Sequence, residues 1–518
     1  MKRLLIITVL LIIVGSIKSQ ILPSGVELAK GASFDMNGKE VISGFLNSGN
    51  GPYTAFNVSG SMITFSRVSS TLASQMVKTE RLVFDNNKLR FEGAIVTSNG
   101  TFVFGSYYDS ETFTSSIYKF EMDGTSLELS DAELLKSKIT DEDIEHANFT
   151  ISVSDNGEFI LLDVSVKVDH TLEDEKVENF DVYVFNAEFE ELWLNENIQI
   201  SDEETSMYRY NLEVSNQGTV VMAASASAFS SDMKIVISSI NDFFTLIDET
   251  QRFILSIQEN KEPVLYELKL EEFKLETVEF SFTPDNKVSV IGVYKGKESK
   301  ERGFYYALIN TESGEFEAEN MSIFGDMEGV INANSHPNDL QVAEALRLSR
   351  NVYPKFSIDL ITSDENGSTL IGESYYWDYV NSKYFYYGIA VVRFNYDGEI
   401  EWRQGVPKIQ FGSGKTKKFC SYGIVQNGNN FGFIFNFSPL KVTNGNLKEQ
   451  TWVAKKAGDV YIAQVDEGGE VTVDLLMEGG KKPFWKPKKY KSNGNGKAIF
   501  VGANGSEIKL FEVSISNF

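Results

Sequence analysis

The chain has 518 residues, a formal charge of −25 and one cysteine, Cys420. A surface this acidic excludes nucleic acid and anionic lipid headgroups as partners by plain repulsion. A single cysteine excludes an intrachain disulfide framework, so stability has to come from a large apolar core, and a chain of this length can bury one.

In chain order, the first element is a secretory signal. Lys2 and Arg3 form a basic start, Leu4 to Val14 an apolar core, and Gly15 to Ser19 a small-residue stretch before Gln20. The apolar core is shorter than the roughly 20 residues needed to cross a bilayer. Residues 1–19 therefore read as a cleaved signal peptide, and the mature chain is expected in the periplasm or outside the cell. Loss of Lys2, Arg3 and Lys18 with the signal takes the charge to −28. No later stretch reaches spanning length, so no membrane span is expected after processing.

From there a short phrase recurs: a turn with Asn or Gly at its tip, then a run of apolar residues. It stands at Gly38, Gly100, Gly157, Gly218, Asn286, Gly367, Gly428 and Gly494, at spacings of 62, 57, 61, 68, 81, 61 and 66 residues. Each interval also holds a second and third strand signal closed by polar turns, such as Ile117–Met122 before Asp123-Gly124 and Ala390–Phe394 before Asp397-Gly398. β-Branched and aromatic runs closed by Asn-Gly or Asp-Gly are antiparallel hairpin signals. Three or four short strands per interval is the size of a propeller blade with generous loops.

The sequence thus predicts one all-β domain over 20–518: a β-propeller of seven or eight blades. The last repeat is short, and a strand near Val26 to Phe34 is expected to complete it, so that N- and C-terminal strands close the ring. Another antiparallel repeat or a sandwich is the alternative. Two helical segments are expected: an insertion near 337–350, capped by Asn338-Asp339, and a stretch from Asp131 to His146.

Motifs for chemistry are few. His146, His170 and His336 lie in different repeats, without partners at metal-ligand spacing. No Gly-x-Ser-x-Gly elbow nominates a nucleophilic serine. Gly412-Ser413-Gly414-Lys415-Thr416 resembles the end of a phosphate loop, but Ile409 stands where that motif needs a glycine, so it reads as a flexible basic loop. Ser154-Asp155-Asn156-Gly157 and Asp364-Glu365-Asn366-Gly367 resemble the Asp-box turns of sialidase-type propellers, with Phe159 and Leu370 near the place of the expected Trp. They read as hairpin turns. Asp155 and Asp364 offer single carboxylates to a structural Ca²⁺, which needs clustered oxygens; no EF-hand spacing occurs, and no cofactor is expected. Cys420 reads as a buried small residue.

Two stretches depart from the repeat. Tyr375-Tyr376-Trp377-Asp378-Tyr379 and Tyr384-Phe385-Tyr386-Tyr387 put eight aromatics into 13 residues on two strands joined near Asn381-Ser382. About half of them should face outward, where rings stack on sugars or anchor partners; a cross-strand ladder is the plainer reading. Lys481 to Lys491 holds six lysines and three aromatics in 11 residues. Its prolines keep it out of a central strand, so it reads as a loop suited to an anionic glycan or acidic partner, with Lys415, Lys417 and Lys418 beside it. Its plainer reading is a solvated loop that balances nearby acids. The candidate ligand-binding residues are therefore Trp377, Tyr379, Tyr386, Lys482, Trp485, Lys486, Lys488 and Lys489. No catalytic or metal-binding residue is nominated.

The stretch Tyr384 to Pro407 resembles a recurring segment of large uncharacterised exported proteins of Bacteroidota type, in which a Tyr-rich strand precedes an Asp-Gly hairpin, here ending at Trp402. The resemblance implies a secreted or envelope β-propeller-like protein, and it carries no catalytic residues. The expected function is non-enzymatic binding or scaffolding, engaging a glycan or protein through the loop face. The alternative is a propeller-fold polysaccharide hydrolase or lyase that uses carboxylates at the central channel.

Overall fold

The computed structural model describes residues 22–34, 42–46, 53–140, 146–166, 179–199, 205–228, 251–297, 299, 301–324, 355–378, 383–406, 408, 410–437, 459–478, 484–504 and 507–516. The expected signal peptide, the expected insertion at 337–350, Tyr379 and Lys482 lie outside them, as do His170 and His336.

Eight sheets, each with a four-strand path, follow one another along the chain. Blade 1 runs from strand Gly44–Leu46 to Ser74–Arg81, blade 2 from Arg90–Val96 to Glu133–Ile139, and blade 3 from Ala147–Val153 to Glu191–Gln199. Blade 4 runs from Thr205–Val214 to Val264–Leu268, blade 5 from Phe273–Phe282 to Glu315–Ile323, and blade 6 from Lys355–Asp364 to Ile400–Val406. Blade 7 runs from Gly423–Asn427 to Val471–Met477. Blade 8 has only Phe484–Ser492, Lys497–Asn504 and Glu507–Ile515 from its own stretch of chain, and strand Val26–Phe34 adds as its fourth, antiparallel to Glu507–Ile515. First strands of neighbouring blades contact one another at six of the junctions, and side-chain hydrogen bonds, Asn211 to Glu279 and Gln426 to Thr362, join them between blades 4 and 5 and between blades 6 and 7. The result is a closed eight-bladed β-propeller, with the ring fastened by the N-terminal strand.

The cores explain why eight blades are needed. A sheet that buries both faces must find a neighbour on each side. One buried apolar cluster fills every junction, from blades 1 and 2 round to blades 7 and 8. An eighth cluster joins Ile499, Val501, Ile508 and Leu510 of blade 8 to Tyr53, Ala55 and Val68 of blade 1. No junction is left open, and no sheet edge faces the gap that a seven-bladed reading would leave.

In blades 2 to 8 the recurrent phrase is the turn between the first and second strand, and it links neighbours; Gly38 lies outside the described residues and ahead of blade 1's first strand, so that copy is out of step. Gly157 adopts φ +76°, and a Cβ there would meet Ser98 N at 2.8 Å. Ser98 N donates to Gly157 O (3.1 Å), Asn156 N to Asn216 Oδ1 (2.9 Å), and Asn286 Nδ2 to Thr219 Oγ1 (3.1 Å). Glycine is required at Gly157 by both its backbone angle and the space.

The stretch expected to be helical at 131–146 is instead strand Glu133–Ile139, the outermost strand of blade 2, up to the described boundary. Its pairing with Thr114–Glu121 supplies the fourth strand that the blade would otherwise lack, which overrides helix propensity. Among the described residues there is no α-helix, and none is long and apolar enough to cross a membrane.

Candidate functional site

Both stretches that break the repeat fall in blades 6 to 8. In blade 6 the second and third strands, Gly367–Asp378 and Lys383–Asn395, are overlong, and their extensions pair Tyr375 with Tyr386, Tyr376 with Phe385, and Trp377 with Tyr384. The aromatic segment is therefore a hairpin, as the alternation implied. A short strand, Gln410–Ser413, joins the far side of this extension. It leads into a 3₁₀ helix, Gly414–Phe419, where a flexible basic loop was expected.

The lysine segment is a correction. Phe484–Ser492 is not a loop but the first strand of blade 8. Pro487 is accommodated because the ladder with Lys497–Asn504 skips from Lys486 to Tyr490, a bulge that needs no N–H from the proline. Trp485 is 1% exposed and stacks on Phe511 at 4.4 Å between ring centroids, so it is a core residue. Lys486 is likewise buried, at 5% exposure. Neither is placed to meet a ligand from solvent. Lys488 and Lys489 lie on the bulge and are exposed.

The fold brings the two lysine segments together. The 3₁₀ helix contacts strand Phe484–Ser492. Asn436 Nδ2 fastens them, donating to Phe419 O at 2.9 Å and to Trp485 O at 3.0 Å. Lys417 and Lys418 are exposed on this helix, and Lys417 Nζ sits 4.0 Å from the centre of the Tyr384 ring. Lys488 Nζ lies 2.9 Å from Asp359 Oδ1 and 4.9 Å from the Tyr422 ring centre. Tyr422 OH donates to the other Asp359 oxygen at 2.6 Å. The hairpin's Tyr386 is half-buried and packs on Phe419 and Cys420. Burial pushes the Tyr386 hydroxyl well above its usual range. Its ring is thus part of the support rather than an open stacking face.

Beneath this face lies a buried polar network. Lys408 and Glu373 are both buried and form an ion pair, with Lys408 Nζ also 3.2 Å from Gln410 Oε1. Ser421 Oγ donates to Glu373 Oε2 at 2.5 Å, and Ser421 N to Gln410 Oε1 at 2.6 Å. Gln410 Nε2 donates to Asn436 O at 2.6 Å, which carries the network to the residue that holds the 3₁₀ helix. Burial pushes the Cys420 thiol up to about 12, as befits a packed residue rather than a nucleophile.

A separate pair of acids lies in blades 4 and 5. A register shift between Arg209 and Asn211, and another between Leu275 and Thr277, re-aim the ends of these two first strands. Asn211 Nδ2 then donates to Glu213 Oε1 at 3.4 Å and to Glu279 Oε2 at 3.0 Å. Burial pushes both carboxyls up to about 7 against the opposing pull of the Asn211 hydrogen bonds, with a smaller push on Glu213 from Asp155 and on Glu279 from Glu213. Sequence reasoning did not pick this pair out of 73 acids. Among the described residues no three His, Cys, Asp or Glu side chains converge as a metal site; Asp364 is instead held by Arg393 (2.7 Å) and Asn429 (2.5 Å).

No protein-family model matches the chain, and no curated protein does. Among solved structures, the chain is similar to Saccharomyces cerevisiae core factor, at 9% identity and TM-score 0.34 over 95% of this chain and 61% of that one. It is similar to prolyl oligopeptidase B from Galerina marginata, at 8% identity and TM-score 0.37 over 93% of this chain and 56% of that one. It is also similar to the polysaccharide lyase Uly1, at 10% identity and TM-score 0.36 over 84% and 94%. The chain thus spans less than two thirds of the first two. Likenesses this distant carry no functional argument, and the propeller assignment rests on the strand pairing itself.

Proposed function

We propose that this chain is an exported, non-enzymatic propeller that binds an anionic glycan through the face built by blades 6 to 8. The observation that carries the reading is the contact between the 3₁₀ helix that bears Lys417 and Lys418 and the strand that bears Lys488 and Lys489, in a protein of net charge −25. Two basic segments about 70 positions apart converge beside an aromatic hairpin. Acids elsewhere repel anions from the rest of the surface and leave this face as the point of attraction. Lysines over rings, as at Lys417 and Tyr384, form a surface on which carboxylate or sulfate groups pair and sugar faces stack. Titration with uronate-bearing and neutral oligosaccharides at low and high salt tests this. A preference for the uronate chain that weakens with salt is expected; equal binding of both, at any salt, contradicts it.

A second reading, cleavage of a polysaccharide by channel carboxylates, is favoured by one observation. Glu213 and Glu279 share Asn211 as a donor, so their accepting oxygens are no further apart than those two hydrogen bonds together allow. That upper bound admits the separation of about 5–5.5 Å used by retaining glycosidases and falls short of the inverting range, and a raised carboxyl suits a general acid. Release of product from a polysaccharide by wild type, lost in Glu213→Gln and Glu279→Gln, would establish this reading. Binding without product leaves the first.

A further inference from the structure

At the turn end of the ring, the first-to-second-strand turns of blades 3 to 5 and the first strands of blades 6 and 7 enclose a cavity of about 640 Å³. This is within the usual size of a small-ligand site. Asp155 and Glu213 line it, and among the described residues no lysine or arginine does. The remaining wall mixes hydroxyls and amides, among them Ser281, Thr362 and Gln426, with the rings of Phe280 and Phe282.

We propose that this cavity is a second binding site, separate from the lysine face, for an uncharged, hydroxyl-rich ligand: the end of a neutral glycan chain. Glu213 accepts from sugar hydroxyls, the Thr362 hydroxyl and Gln426 amide offer further polar contacts, and Phe280 and Phe282 supply an apolar wall for the ring's C–H face. An anionic ligand is disfavoured by two lining acids with no base opposite. A cationic ligand gains little from a Glu213 carboxyl that is partly protonated near neutrality, a state in which it both donates and accepts.

The test is a printed array of neutral, uronate-bearing and amino oligosaccharides probed with the mature chain. Two variants accompany it: Glu213→Ala, and Gln217→Trp, which plugs the mouth from an exposed position. Neutral glycans are expected to bind wild type and to lose about tenfold or more in both variants, while uronate binding at the lysine face is unchanged and the folded circular dichroism spectrum is retained. Three results overturn the site: no neutral glycan held above background, neutral binding that survives both variants, or a preference for amino glycans that Glu213→Ala abolishes. Failure of the lysine-face reading shows separately, as loss of uronate binding in wild type.

Discussion

The backbone N–H of Asn156 in blade 3 donates to Asn216 Oδ1 in blade 4 at 2.9 Å, turn to turn across a blade junction. Such links make the repeated turn a fastener as well as a reversal. Gly157 is the point where this is most constrained, because its φ of +76° and the 2.8 Å approach to Ser98 N both resist a side chain. Gly157→Ala should therefore destabilise the fold by about 1–3 kcal/mol, read by urea denaturation. Gly428, which also has positive φ but nothing within 4 Å, should lose less on the same substitution.

Trp485 stacks on Phe511 and packs against Phe500 inside the last junction of the ring. Trp485→Ala should cost about 3–5 kcal/mol. Ligand affinity per folded molecule should stay unchanged, because the ring meets no solvent. Thermal denaturation and titration on the same sample separate the two effects.

The Lys408–Glu373 pair is buried on both sides. Lys408→Met alone leaves a buried carboxylate without its cation and should cost about 3–5 kcal/mol. Adding Glu373→Leu should restore most of that, since well-packed apolar residues replace buried pairs at little cost. A double-mutant cycle by chemical denaturation measures it, and an additive double mutant would contradict the coupling.

Glu213 and Glu279 have folded-state values raised to about 7, above those of the unfolded chain. The folded state therefore holds more protons between about pH 4.5 and 7, and stability contributed by these groups falls as pH rises through that window. Glu213→Gln mimics the protonated form and should be more stable than wild type at pH 8, on the order of 1–3 kcal/mol. At pH 4.5 the two should be nearly equal. Denaturation at both values reads the difference.

Most of the architecture was legible in the sequence because it repeats: the turn phrase marks the same corner of blades 2 to 8, though the Gly38 copy precedes blade 1 rather than turning within it, and the strand near Val26 to Phe34 was missing from the end of the chain where blade 8 needed it. The aromatic hairpin was also legible, since its alternation is local. Pro487 misled, because a bulge that removes the need for its N–H is a property of the pairing and not of the residue. Glu133–Ile139 misled for a similar reason, as its neighbours in blade 2 decide its conformation. The Glu213–Glu279 and Glu373–Lys408 pairs join residues 66 and 35 positions apart. Nothing along the chain marks either pair out from the other charges.

The lysine face is proposed to hold an anionic glycan by its four exposed lysines. Calorimetric titration of a uronate oligosaccharide into wild type and into Lys417→Glu/Lys418→Glu/Lys488→Glu/Lys489→Glu tests it most directly. Saturable, salt-sensitive binding to wild type is expected, with a loss of at least about 100-fold in the variant, whose circular dichroism spectrum stays native. Unchanged affinity in the charge-reversed protein would contradict it.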